Sequence, residues 1–255
     1  MPKKPQVHHL VLPKNFQWFP PEALKFLSDL KKHNKRTWFA AHKAVYEETL
    51  KQPLAEVVLH LHKSFRRFAP ELVANPGVSI YRIYRDTRFS NYKSPYKTQA
   101  AAVFPVRGLP KNVGPALYFH LTPDEVLLGG GIYMPDAPLL RAVRDRIAAH
   151  LRRFKSIVEG KPFRKAFGEM SGETLKNAPK GFSSDHPAAH YLRFKQFLFF
   201  KKFPASLATG NKFIPTLVKF YRAGMPLIRF LADAAHNASQ PQAKSASFTS
   251  TNLLA

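Results

Sequence analysis

The first third of the chain has hydrophobic residues at helical spacing. Leucines recur every three residues over 24–30, after the Pro-Pro-Glu sequence at 20–22, which is typical of a helix start. A second periodic stretch, residues 38–68, has apolar positions at i, i+3 and i+4. Because proline removes a backbone hydrogen bond inside a helix, Pro53 predicts a kink or break near Gln52.

The middle of the chain has the composition of strands. Residues 80–85, 99–106, 116–121 and 126–134 consist mainly of apolar, β-branched and aromatic residues bounded by turn formers. The short connections between the last three favour antiparallel pairing. Pro105 lacks a backbone donor, which suits an edge strand.

The last part of the chain returns to helical periodicity. Helices are predicted over 136–154, 161–167, 185–192 and 213–235. The very aromatic run at 194–203 is interpreted as a further strand that joins the sheet.

These elements predict an α+β fold, with a mainly antiparallel sheet and helices packed on it. The chain has 255 residues, and we predict a single domain over 20–235. Three prolines indicate an extended leader over 1–19. Residues 236–255 are rich in Ser, Ala, Gln and Thr, which predicts a disordered tail.

The net charge of the chain is strongly positive. Its 40 Lys and Arg against 16 Asp and Glu leave 40 − 16 = +24. A field of this size attracts polyanions, so nucleic acid or a phosphorylated small molecule is the expected partner. A lysine-rich surface without a partner is the alternative.

Several chemistries are excluded or disfavoured by composition. The chain has no cysteine, which excludes disulfides and thiolate chemistry. No apolar run is long enough for a membrane span or a signal peptide, so we expect a cytoplasmic protein without a membrane partner. The histidine spacings at 60/62 and 186/190 supply no third ligand, and neither a metal nor a cofactor is implied.

The candidate site is the basic and aromatic segment at 79–98. Hydroxyls and guanidinium groups in one loop suit the recognition of phosphate or carboxylate. The candidate anion-binding residues are Arg82, Arg85, Asp86, Arg88, Ser90, Lys93, Tyr96 and Lys97.

Three functions of this segment stay open at this point. It could bind an anion, including the phosphates of a nucleic acid, with help from the arginines of 141–153. It could belong to a phosphoryl-handling enzyme in which Asp86 is the base and the arginines offset developing charge. It could also be a structural clamp whose charges pair internally, and whether the protein is an enzyme is therefore undecided.

A triple glycine, Gly129, Gly130 and Gly131, interrupts the last predicted strand of the hairpin. Glycine inside a strand indicates a bulge or the close approach of another group. Close packing is one interpretation, and the floor of a ligand pocket is the other. A phosphate-binding P-loop is disfavoured, because no Lys-Ser/Thr follows.

The order of several motifs resembles one family. The motifs are Asn-Lys-Arg-Thr-Trp-Phe at 34–39, Arg-Ile-Tyr-Arg-Asp-Thr-Arg-Phe-Ser at 82–90, Lys-Ser-Pro-Tyr-Lys-Thr at 93–98, residues 129–133 and residues 185–188. Together they resemble the domain-of-unknown-function family numbered 2461 over residues 20–232. The resemblance implies no activity and assigns no catalytic residue.

Overall fold

The structure is a computed structural model that describes residues 18–86, 88 and 93–239. Its N-terminal part is helical. The elements are α1 (Pro21–Lys32), α2 (Arg36–Ala41), α3 (Lys43–Tyr46), a π-helical turn (Glu47–Lys51), α4 (Gln52–Phe68) and the short α5 (Pro76–Ser79).

A kink or break was predicted near Gln52, but the backbone stays helical through Lys51 and Gln52, and the chain leaves the helical conformation at His42 instead. The π-helical turn ends immediately before α4, so Pro53 lies in the first turn of α4. The N–H of Gln52 donates to the carbonyl of Glu47, so Pro53 lies where the hydrogen bonds change from the π to the α pattern.

The sheet has four described strands, all antiparallel, in the order β1-β2-β3-β4. The strands are β1 (Ala100–Pro105), β2 (Ala116–Leu121), β3 (Glu125–Ile132) and β4 (Phe197–Pro204). The aromatic run joins the sheet as β4, as predicted. β1 lies at the opposite end of the strand order, as Pro105 indicated.

The remaining helices are α6 (Ala137–Ala149), α7 (Leu151–Val158), α8 (Lys161–Phe167), α9 (Ala189–Leu192) and α10 (Phe213–Ser239), and a 3₁₀ turn (Ala205–Thr209) precedes α10. Two predictions are wrong in detail. The helix predicted at 136–154 breaks at His150, whose backbone angles are not helical. The helix predicted from 185 begins only at Ala189, because the imidazole of His186 accepts the backbone N–H of Ala188 in a turn.

One face of the sheet packs on the helices and forms the core. The ring of Phe119 on β2 contacts Phe213 at the start of α10, and Phe104 on β1 contacts Phe65 on α4. Pro226 lies inside α10. The predicted α+β class is thereby confirmed, and no described helix is long and apolar enough to cross a membrane.

The packed region extends slightly beyond the predicted domain limits. Phe19 is fully buried, and its backbone N–H donates to the carbonyl of Ala208 at 2.8 Å. At the other end α10 continues to Ser239. The rest of the predicted leader and tail lies outside the described residues.

Candidate anion-binding site

The basic segment changes its pairing partner halfway along. Tyr81 donates its backbone N–H to Ala101 of β1 at 3.0 Å, whereas the carbonyl of Ile83 accepts from Lys97 at 2.7 Å. The strand predicted at 80–85 is therefore not continuous, and only isolated bridges form. From Ile83 onward the segment therefore pairs with its own returning arm, residues 95–97, and we call residues 84–95 the loop.

Asn34 fixes the returning arm of this loop. Its side-chain amide donates to the carbonyl of Tyr96 at 3.0 Å and accepts the backbone N–H of Tyr96 at 3.1 Å. The ring of Tyr96 is 5 % exposed and stacks on Phe39, with centroids 4.1 Å apart. Tyr96 therefore anchors the loop, and it sets the position of the next residue, Lys97.

Four cations meet at the base of the loop, and we call Arg82, Arg85, Lys97 and Lys111 the cationic cluster. The ammonium groups of Lys97 and Lys111 lie 5.2 and 4.7 Å from the ring centroid of Tyr81. Burial lowers the pKa of Lys97, and the charges of Arg82, Arg85 and Lys111 lower it further. Each neighbouring positive charge disfavours the protonated form.

The described residues leave part of this charge without a carboxylate. Neither Arg82 nor Lys97 forms an ion pair with any described residue, and Lys111 donates to the carbonyl of Val78. The segments outside the described residues contain no Asp or Glu, so they supply no side-chain carboxylate that could pair with these cations.

Lys111 is the member of the cluster that sequence reasoning missed. It lies in the connection between β1 and β2, and it reaches the cluster because this connection folds back onto Val78 at the end of α5. No local pattern around Lys111 signals that contact.

Asp86 is held by Arg88. The guanidinium donates from Nε to Oδ1 at 3.1 Å and from Nη2 to Oδ2 at 2.8 Å. These hydrogen bonds lower the pKa of Asp86 to about 2. Two of the predicted site residues thus pair with each other on the exposed loop. Lys93 is exposed farther along the same loop, and Ser90 lies outside the described residues.

The triple glycine serves two sides of β3. A Cβ on Gly130 would lie 2.7 Å from the ring of Phe199, and one on Gly131, where φ is +119°, would lie 1.9 Å from the carbonyl oxygen of Phe197. A Cβ on Gly129, which pairs with Tyr118 and Phe200, would lie 2.6 Å from the carbonyl oxygen of Phe199. Close packing therefore requires all three glycines. The pocket floor remains a prediction.

The arginines of the arginine-rich helix α6 have partners in other parts of the domain. The helix packs on α10, which itself covers the core face of the sheet. Several of its arginines are already bound within the domain, namely Arg141 to Asp145, Arg144 to the carbonyl of Phe194 and Arg146 to Asp233.

These features define an α+β domain with a cationic cluster beside the first strand of its sheet. The chain belongs to the family described as "Conserved hypothetical protein (DUF2461)", whose match covers residues 22–230. The family resemblance predicted over 20–232 is thereby confirmed. No curated protein and no solved structure matches the chain. In the described part of the chain, no three His, Asp or Glu residues are grouped as a metal site would need.

Proposed function

We propose that the protein binds phosphate-type anions through the cationic cluster. The observation that carries this proposal is the half-buried side chain of Lys97, which has no carboxylate partner among the described residues and is influenced by the charges of three other cations. Each hydrogen bond from such a group to an anion contributes roughly 1.5–3 kcal/mol. A bound dianion would also remove the mutual repulsion of the cluster.

The two other functions are less well supported by the geometry. A structural clamp would pair its cations internally. Arg88 pairs with Asp86 in this way, but Arg82 and Lys97 form no ion pair with a described residue. A phosphoryl-handling enzyme would need a base whose pKa lies near the working pH. Asp86 has a pKa of about 2 and accepts hydrogen bonds from Arg88, so it is a weak general base.

The test is isothermal titration of the purified protein with sulfate, phosphate and pyrophosphate. Arg82→Gln and Lys97→Gln each remove one positive charge from the cluster and should weaken binding by roughly ten-fold, the effect of one charge-assisted hydrogen bond. Lys219→Gln removes the same charge from the exposed side of α10 and is the matched control.

Thermal melting checks that each variant is folded, because a ligand of the native state raises the melting temperature. Equal affinities for the wild type, Lys97→Gln and Lys219→Gln would show that the cluster is not the binding site. Loss of the fold in Arg82→Gln would favour the structural clamp.

A further inference from the structure

The second face of the sheet is covered at β1, where Ala101 and Val103 are buried, and exposed at β4. Side chains alternate across a strand, so the residues between the core positions of β2 and β4 point away from α10. This face, which we call the open face, carries Tyr118 and His120 from β2 and Phe200 and Lys202 from β4. Phe200 is 40 % exposed.

Aromatic rings extend across the open face toward the cationic cluster. The ring of Tyr81, which lies under Lys97 and Lys111, is 6.4 Å from that of Tyr118. The hydroxyl of Tyr118 is 3.1 Å from Nδ1 of His120. Tyr133 follows β3 and is 64 % exposed.

Gly129 separates two of these rings. In the strand pairing it stands between Tyr118 on one side and Phe200 on the other. Two strand spacings place their backbones about 10 Å apart, and no side chain fills the row between them. Gly129 is itself buried, so a stacked group would rest on the exposed ring of Phe200 rather than on the backbone at Gly129.

We propose that the open face binds single-stranded nucleic acid, with bases stacked on the exposed ring of Phe200 and phosphates held by the cationic cluster. This inference rests on the proposed anion-binding function and names its ligand class. Aromatic side chains stack on unpaired bases of any sequence, while cations hold the backbone. A duplex keeps its bases stacked inside, and its major groove admits a helix or a two-stranded ribbon rather than a broad sheet.

The aromatic rings of the open face favour this occupant over an acidic protein segment. Both are polyanions, but only a nucleic acid adds planar groups that match the ring-lined face. A small ligand would instead need an enclosing cavity. A cavity of about 230 Å³ does occur beside Glu159, Arg164 and Tyr191, away from the open face, and it is lined by carboxylates as well as by an arginine.

The experiment is fluorescence anisotropy with labelled twelve-residue oligomers, namely oligothymidylate, oligouridylate, an abasic oligomer of equal charge, a duplex and polyglutamate. We expect Phe200→Ala to weaken binding of the thymidylate and uridylate by roughly five- to a hundred-fold, the range of one base–aromatic stack. Binding of the abasic oligomer should not change. Phe200→Tyr keeps a ring and should restore binding.

Leu59→Ala is the control, since Leu59 is 42 % exposed on α4. Lys97→Gln should weaken the binding of the abasic and the thymidylate oligomers to the same extent. Equal binding of abasic and thymidylate oligomers, or of polyglutamate and thymidylate, would overturn the inference while leaving anion binding intact. If Lys97→Gln changes the affinity neither for sulfate nor for the oligomers, the proposed function itself is overturned. The ratio of thymidylate to uridylate affinity tells DNA from RNA.

Discussion

The side chain of Asn34 pairs with the backbone of Tyr96 as a neighbouring strand would, through one donated and one accepted hydrogen bond. The two residues are 62 positions apart in the chain. Since Lys97 follows Tyr96 directly, this pair joins the packing of the N-terminal helices to the position of the cationic cluster.

We expect Asn34→Ala to lower the free energy of unfolding by about 1–3 kcal/mol, because the partly buried backbone groups of Tyr96 lose their partner. Urea-induced unfolding measures the change. Asn177→Ala replaces an exposed asparagine and should stay within about 0.5 kcal/mol of the wild type. Identical urea midpoints for Asn34→Ala and the wild type would mean that the pair contributes nothing to stability.

Gly224 of α10 should not tolerate alanine. A Cβ there would lie 2.4 Å from the ring of Phe199, which packs between Gly224 and Gly130. Alanine normally stabilises a helix by about 1 kcal/mol relative to glycine, but overpacking a core costs about 1–3 kcal/mol. We therefore expect net destabilisation in thermal unfolding.

Two further variants test this explanation. Gly210→Ala meets no atom within 4 Å and should be close to neutral. Phe199→Leu shortens the obstructing side chain, so the loss caused by Gly224→Ala should be smaller in that background. Additive effects of the two substitutions would rule out the ring as the cause.

As the pH is raised, sulfate binding should begin to weaken at a lower pH than the ordinary pKa of lysine would give. The pKa of Lys97 is lowered from 10.5 by burial and by Arg82, Arg85 and Lys111. An anion binds the protonated form, so affinity is complete below the lowered pKa and declines as the pH rises through it. Titrations from about pH 7 to about pH 11 measure this decline.

Lys97→Arg keeps the positive charge at every pH in this range and should move the decline upward. The role of Lys97 would be contradicted if the sulfate affinity of the wild type declined only at the ordinary pKa of lysine. It would also be contradicted if Lys97→Arg left the pH of the decline unchanged.

Asp86→Asn should strengthen sulfate binding by roughly two- to five-fold, the size of an exposed charge interaction. It removes a negative charge that interacts with Arg82 and pairs with Arg88. The pKa of Asp86 is about 2, so its carboxylate is ionised throughout the neutral range. The gain in sulfate affinity should therefore not vary with pH in that range. Calorimetry at several neutral pH values measures it.

Asp185→Asn is the matched control, since it removes one exposed negative charge elsewhere. Equal gains in Asp86→Asn and Asp185→Asn would assign the effect to net charge and not to the neighbourhood of the cluster.

The sequence alone determined several of the elements and the residue types of the basic segment. β2 was predicted over 116–121 and forms over the same residues, because alternation of period two is a local property of the chain. The concentration of cations at 82–97 is likewise visible in the order of residues. Both features depend only on neighbours along the chain.

The tertiary structure decided which distant residues meet. It brought Asn34 to Tyr96 and Lys111 to Lys97, and it gave the arginines of α6 partners in other parts of the domain. It also placed the ring of Phe199 against both Gly130 and Gly224, which are far apart in the chain. These contacts depend on how separate elements pack, and no local pattern encodes that packing.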